Sequence, residues 1–501
     1  MKLPVTSYQA VKTMHATSAV IPHRSAAVIG AGPAGLLAAI MLSQRGWGVK
    51  VYDALPPPPS AEDNALWSSG ERSYQLGLNG RGQRSLREFG VMERVSHYAA
   101  SVNGRLSFDT KTGAPSESRL IPPGQPGAEK TYVTRVLQRD RLQACLLEEV
   151  RERYPNVEVG FQVACDGVDL SGERPAVSLC VSSQEELKGC AVPPVGLTAF
   201  DLVVGADGVR SAVREALAAS PATSTRPVRF EDRNARRYKT LALHPSAVPG
   251  TSSDLNWGCR NRTLDLGMDA LPTVDGEMVA VLLFKPGSAA YKVIEGLQTA
   301  SEARDWLAEA LPPLLPYVRE ADLEAFVGRP ISRLPSFQLV EGDIHARLAA
   351  GGVVLLGDSI KAVKPYFGQG ANSALEDVSV LARCLAACSD EPAAAAAAFT
   401  EARAEDARAL VRTSRGFDGR GPLGTARFLV PLLLDLRLHA LLPAVFTPPM
   451  LRGLQDERNT FTGLRRRKRL ERALLAALVG GALLGARFGV KLCAKALLGA
   501  G

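Results

Sequence analysis

Residues 26–53 read AAVIGAGPAGLLAAIMLSQRGWGVKVYD, and few stretches of this length leave a chain so little choice of fold. An apolar run enters G-A-G-P-A-G, with glycines at Gly30, Gly32 and Gly35. That pattern predicts a buried strand, a tight turn and a helix, followed by a second strand, VKVYD, that ends on Asp53. Gly30 permits the turn, Gly32 lets backbone approach a pyrophosphate, and Gly35 lets helix and strand pack closely. The helix N-terminus offers unpaired amides and the positive end of a dipole to the phosphates. Asp53, 21 residues after Gly32, stands where an acid accepts from a ribose hydroxyl. The implied fold class is α/β, built on a Rossmann-like dinucleotide-binding domain.

Two more units repeat the strand, loop and helix order. Residues 201–214, DLVVGADGVRSAVR, place Asp207 before Gly208 at the end of an apolar run. Residues 351–377, GGVVLLGDSIKAVKPYFGQGANSALED, place Asp358 at a loop that holds Lys361, Lys364 and Pro365 before a helix. An aspartate beside a glycine is, alone, only a turn former. Three such units, separated by long insertions, suggest one cofactor clamped from several loops.

In this order the three segments resemble the class A flavoprotein aromatic monooxygenases, whose glycine-rich N-terminus binds the ADP half of FAD. In that family a middle "DG" segment lies near the pyrophosphate, and a late "GD" segment approaches the ribityl chain and isoalloxazine. Within it the chain is most similar to the kynurenine 3-monooxygenases. The shared stretches are RSYQLGLNGRGQRSLREFGV (72–91), LQRDRLQACLLE with YPNV (137–157), PYFGQGANSALED (365–377) and RLHALLPAVFTPP (437–449). The resemblance implies that Gly77, Arg139, Asp358, Gly370, Ala371 and Asn372 line FAD, and that Arg105 in NGRLSF meets a substrate carboxylate. A fixed guanidinium suits either anion. It also implies NADPH or NADH as reductant, O2 as co-substrate, and a flavin hydroperoxide that hydroxylates an aromatic or other electron-rich small molecule. No second dinucleotide motif is visible, as expected where the reductant visits transiently.

Two other readings fit the same motifs: a reductase or dehydrogenase of this fold acting on a quinone or isoprenoid, and a non-catalytic, membrane-tethered flavoprotein. The chain also departs from the family. It reads IPPG, with Pro123, where the kynurenine enzymes carry a tyrosine, and residues 405–417 lack the tyrosine and asparagine of their late substrate-facing helix. Losing hydroxyl and amide contacts changes what a pocket discriminates. Where the family usually has G-D-A-A-H, this chain has Lys361 for the histidine. That exchanges a switchable ring for a fixed point charge, which is free to pair with phosphate, hold an acidic neighbour or face water.

With 501 residues, 46% of them hydrophobic, the chain can bury a large core in two or three domains. Its formal charge of +8 is concentrated in RRRKRLER (465–472), and aromatics are 6% of residues, which argues against nucleic acid as a partner. The eight cysteines show no CxxC pair and the six histidines no ligand spacing, so no metal is expected. Residues 1–24 are acid-free and rich in Ser and Thr, a targeting or disordered segment. Residues 25–100, 130–222 and 325–415 are expected to form a discontinuous FAD domain. An antiparallel substrate-domain sheet is expected over 225–325. Residues 416–470 read as helical and packed on the core. The apolar run 473–486 within 471–500 reads as a membrane anchor beside an anionic surface. Membrane association at an organelle (the mitochondrial outer membrane or a plastid) or at the endoplasmic reticulum would follow.

Overall fold

The computed structural model describes residues 24–68, 74–126, 128, 130–181, 196–232, 234–416, 418–419 and 421–498. The expected targeting segment therefore lies almost entirely outside the described residues. A six-stranded sheet runs in the order His345–Leu348, Gly351–Leu355, Leu202–Gly205, Ser25–Ile29, Gly48–Asp53, Val157–Phe161. All its neighbours are parallel except the hairpin at the 345–348 edge. The central strands are buried throughout, which is why AAVI, LVVG and GGVVL read as unbroken apolar runs rather than alternating ones. Helix Pro33–Gln44 is buried on nearly every side, so its sequence shows no polar face.

The second body is a seven-stranded sheet ordered Ser332–Arg333, Arg237–Leu243, Met278–Phe284, Leu266–Pro272, Asn256–Asn261, Gly104–Phe108, Pro115–Arg119. One face carries Leu241, Trp257, Met268 and Leu282 beneath helices Ala289–Gly296, Ala300–Ala310 and Glu320–Gly328. The alternation in residues 266–272, buried at every second position, produces that single apolar face. The sheet is larger than its sequence span suggested. Strand 104–108 comes from outside 225–325 and pairs parallel with 256–261, and strand 115–119 is exposed along its whole length, so it has no apolar signal. A small antiparallel sheet of Gln75–Leu78, Thr134–Gln138 and Ala100–Val102 lies between the two bodies.

The expected membrane tail is not borne out. Among the described residues no helix is long and apolar enough to cross a membrane. The apolar run 473–486 belongs to one helix, Phe461–Leu498, and Arg487, Lys491 and Lys495 follow it too soon for a span. The first turns of that helix are committed to packing, with Phe461 and Leu464 in a core beside Phe337 and Leu410. Part of the basic cluster is spent internally. Lys468 is buried and donates to Thr447 O at 3.0 Å and to Glu471 at 2.9 Å. In helix Gly421–Leu441, Leu423, Leu433 and Leu434 are exposed, while the buried Asp435 accepts the Met450 amide at 3.3 Å and lies 3.5 Å from Lys468.

Candidate active site

The three strands that precede the three sequence signatures are neighbours in the sheet, 351–355, 202–205 and 25–29. Their loops therefore meet at one edge, outside the carboxyl ends of the strands, where open α/β sheets bind ligands. Gly30 has φ 101°, and a Cβ there would lie 2.7 Å from the Ala206 carbonyl carbon. A Cβ on Gly35 would collide with the Gly30 carbonyl oxygen. Gly32 is different: among the described residues its only close neighbour is the Arg139 guanidinium, at 3.4 Å from a would-be Cβ. No side chain caps the helix at Gly32. Open backbone, uncapped amides and an adjacent cation are the features a pyrophosphate needs, so the residues present fit the group. Asp53 accepts the Ala31 amide at 2.7 Å and the Leu55 amide at 2.8 Å, which fixes its carboxylate beside the turn while leaving lone pairs on both oxygens.

The middle and late loops are fastened to each other by Ser359, which the sequence reading did not single out. Its hydroxyl donates to Asp207 at 3.1 Å and accepts the Gly208 amide at 3.1 Å. Asp207 also accepts the Val213 amide at 3.2 Å. Burial raises the Asp207 carboxyl above its ordinary value, with hydrogen bonds from Ser211, Val213 and Ser359 opposing. Burial likewise raises Asp358, against the charges of Lys361 and Arg139. Arg139 pairs with Asp140 at 2.7 Å beside the glycine turn, with Tyr74 and Asp358 within electrostatic range.

Helix Gln369–Ala387 starts at Gly368, which is left-handed at φ 60° and lacks a side-chain cap. A Cβ at Gly368 would lie 3.8 Å from Gly77 O, a narrow gap between the late turn and strand 75–78. Gly370 and Ala371 are half-buried at this helix start. Asn372 is buried, and its amide is spent on backbone: it donates to Gly77 O at 2.8 Å and Gly368 O at 2.6 Å, and accepts the Asn79 amide at 2.9 Å. It spaces the two walls of the gap.

Both lysines of the late loop are buried, so the solvated reading of Lys361 is overturned. Lys361 bonds Asp377 at 2.5 Å. Lys364 bonds Asp232 at 2.7 Å, Asp418 at 2.9 Å and Asn234 O at 2.9 Å, and Tyr366 donates to Asp418 at 2.9 Å. Arg105 projects from the face of the seven-stranded sheet opposite its apolar core, passes over Gly258, where a Cβ would clash with it, and meets Asp269 at 2.8 Å. It is half-exposed and not among the loops around the glycine turn. Pro123 lies in a turn closed by the Gln125 amide donating to Pro122 O at 3.2 Å, just after strand 115–119.

Comparison with known proteins agrees with this geometry. The FAD binding domain family matches residues 24–236 and 318–414. Kynurenine 3-monooxygenase of Xanthomonas campestris pv. campestris is 30% identical over 438 residues, covering 86% of this chain and 87% of that protein. The enzyme of the same name from Stenotrophomonas maltophilia is 30% identical over 435 residues, covering 85% and 86%. Among solved structures, the tetrameric form of 2-methyl-3-hydroxypyridine-5-carboxylic acid oxygenase is similar at TM-score 0.55 and 19% identity, covering 81% of this chain and 95% of that one. PqsL of P. aeruginosa, in complex with 2-aminobenzoylacetate, reaches 0.54 at 20% identity, covering 81% and 98%.

The chain belongs to the FAD-dependent aromatic monooxygenases: it is a flavoprotein oxidoreductase with FAD as cofactor. Its relatives within that family include the kynurenine 3-monooxygenases of bacteria; with no membrane-crossing helix among the described residues, the expected membrane association at an organelle or the endoplasmic reticulum is not borne out.

Proposed function

We propose that this protein uses NADPH or NADH and O2 to hydroxylate an aromatic or other electron-rich small molecule. The observation that carries the reading is the convergence of the glycine turn, with the Arg139 guanidinium beside Gly32, and the Asp207–Ser359 junction on one sheet edge. FAD, when bound, supplies the electron transfer and the oxygen chemistry. The chain's own residues have simpler tasks. The amides after Gly32 and the Arg139 guanidinium hold phosphate. Asp53 accepts from ribose. Gly77, Gly368 and Gly370 keep backbone close to the ring, and the buried lysine contacts hold the late turn still and dry.

Arg105 is our candidate for a substrate's anionic group. Asp269 already neutralises it, so an incoming carboxylate has to displace or share that partner. Together with the proline at 123 and the missing tyrosine and asparagine over 405–417, this favours a substrate other than kynurenine.

The test is a screen of FAD-loaded protein against aromatic compounds under 18O2, reading product mass. Incorporation of one labelled oxygen with matching NAD(P)H consumption supports the reading. Reductant consumed in step with a reduced quinone, and no label in any product, would establish the reductase instead.

A further inference from the structure

Lys361 is 2% exposed, on the short strand that follows the Gly357–Ser359 turn. Its ammonium meets Oδ2 of Asp377 at 2.5 Å, and that same oxygen accepts the Gly357 amide at 2.8 Å. Oδ1 of Asp377 accepts from Arg403 at 2.5 Å. One carboxylate, rooted in helix Gln369–Ala387, thus holds both the backbone that begins the late loop and the cation inside it.

The surrounding charges are closely balanced. Arg403 also meets Glu376 at 2.9 Å and Asp406 at 2.9 Å, and Arg81 meets Glu376 at 3.1 Å. The half-exposed Arg84 reaches Glu376 from the surface at 3.0 Å. Lys361, Arg403 and Arg81 therefore face Asp377, Glu376 and Asp406, and Asp358 is the next group within electrostatic range of Lys361. Removing Lys361 would leave a net negative charge immediately behind the residues that hold the cofactor. Buried charges are poorly screened by salt, so such an imbalance would act on a cofactor held by the Gly357–Asp358 turn.

We propose that Lys361 is a positioning residue for the flavin: through Asp377 it ties the Gly357–Asp358 turn to helix 369–387, and its buried positive charge favours the reduced, negatively charged cofactor. A neutral, non-donating residue at this position would supply neither that tie nor that bias. The inference rests on FAD being the resident cofactor and not on the oxygenation reading.

The test measures the midpoint potential of bound FAD by dye-coupled reduction, and FAD affinity by fluorescence quenching. Lys361→Met is expected to lower the potential and weaken FAD about tenfold, the effect of one charge-assisted hydrogen bond. Lys361→Arg is expected to keep both near the native values. The double variant Lys361→Met with Asp377→Asn restores the charge balance and keeps an acceptor for the Gly357 amide, so its potential should return. An unchanged potential in Lys361→Met would overturn the charge role, and unchanged affinity would overturn the positioning role. Should Lys361→Met not fold, Asp377→Asn alone carries the test, because losing that acid must raise the potential; an unmoved potential there sinks the proposal. Native protein that takes up no FAD would refute the cofactor assignment, and the same affinity measurement reads that outcome separately.

Discussion

At the residue scale, the three glycines of the first signature do three different jobs, and substitutions separate them. A Cβ on Gly35 would collide with the Gly30 carbonyl, which cannot move without breaking the sheet edge. Gly35→Ala should therefore lower thermal stability as well as flavin content. Gly32 has room for a side chain, with only Arg139 close by. Gly32→Glu should leave the circular dichroism spectrum near native and the melting temperature near that of the native apoprotein, yet abolish the 450 nm flavin absorbance, because a carboxylate would occupy the place of the phosphates. Flavin retained in Gly32→Glu would refute the placement of the pyrophosphate. The tight turn at Gly30 and the close helix–strand packing at Gly35 were legible from spacing alone. Ser359 was not, since a serine between Asp358 and Ile360 gives no sign that it will reach Asp207 across the sheet edge.

At the scale of elements, helix 369–387 carries the acids on which the late loop depends. Burial alone would raise Asp377 and Glu376. Lys361 and Arg403 hold Asp377 below its ordinary range, and Arg403 and Arg81 do the same for Glu376. A carboxyl whose folded value is depressed adds stability that is complete above its unfolded value, about 4, and is lost as pH falls toward the folded one. Urea midpoints measured across the acid range should therefore drop below about pH 4, and less steeply in Asp377→Asn. Arg403→Met leaves Asp377, Glu376 and Asp406 short of a cation in a buried site, and should cost about 3–5 kcal/mol by the same denaturation assay. A loss below about 1 kcal/mol, the value of an exposed pair, would show that water or a rearranged side chain replaces the guanidinium. The sequence showed two lysines in a loop; that both would be buried depended on acids at 232, 377 and 418, brought in by other elements.

At the scale of the whole molecule, the C-terminal helices are fastened to the cofactor region. Arg81 donates to the carbonyls of Asp456 and Asn459 and stacks on Phe461, while Gln455 donates to Phe367 O at 3.0 Å. A chain ending after Arg472 keeps all of these contacts and should bind FAD with a near-native melting temperature. One ending after Gln455 removes Phe461 and Leu464 from a buried core and strips Arg81 of its C-terminal partners, leaving it Glu376. It should lose several kcal/mol of stability and most of its flavin, as read by calorimetry and absorbance. Equal behaviour of the two truncations would mean that the helix from 461 onward contributes nothing to the cofactor domain.

The sequence by itself determined the parallel sheet, the order of the three cofactor loops and the glycine turn. Each is written in local patterns: unbroken apolar runs, glycines at fixed spacing, an acid at a fixed distance. Only the tertiary structure decided what joined them. Strand 104–108 entered the seven-stranded sheet through pairing with residues about 150 positions away, and the exposed strand 115–119 had no apolar face to announce it. The apolar run near the C-terminus looked like an anchor because hydropathy is blind to partners; packing showed that its helix begins earlier, in a core, with Lys468 neutralised. Charges followed the same rule. A lysine's type is local, but whether it is solvated or buried is set by the carboxylates that the fold places against it.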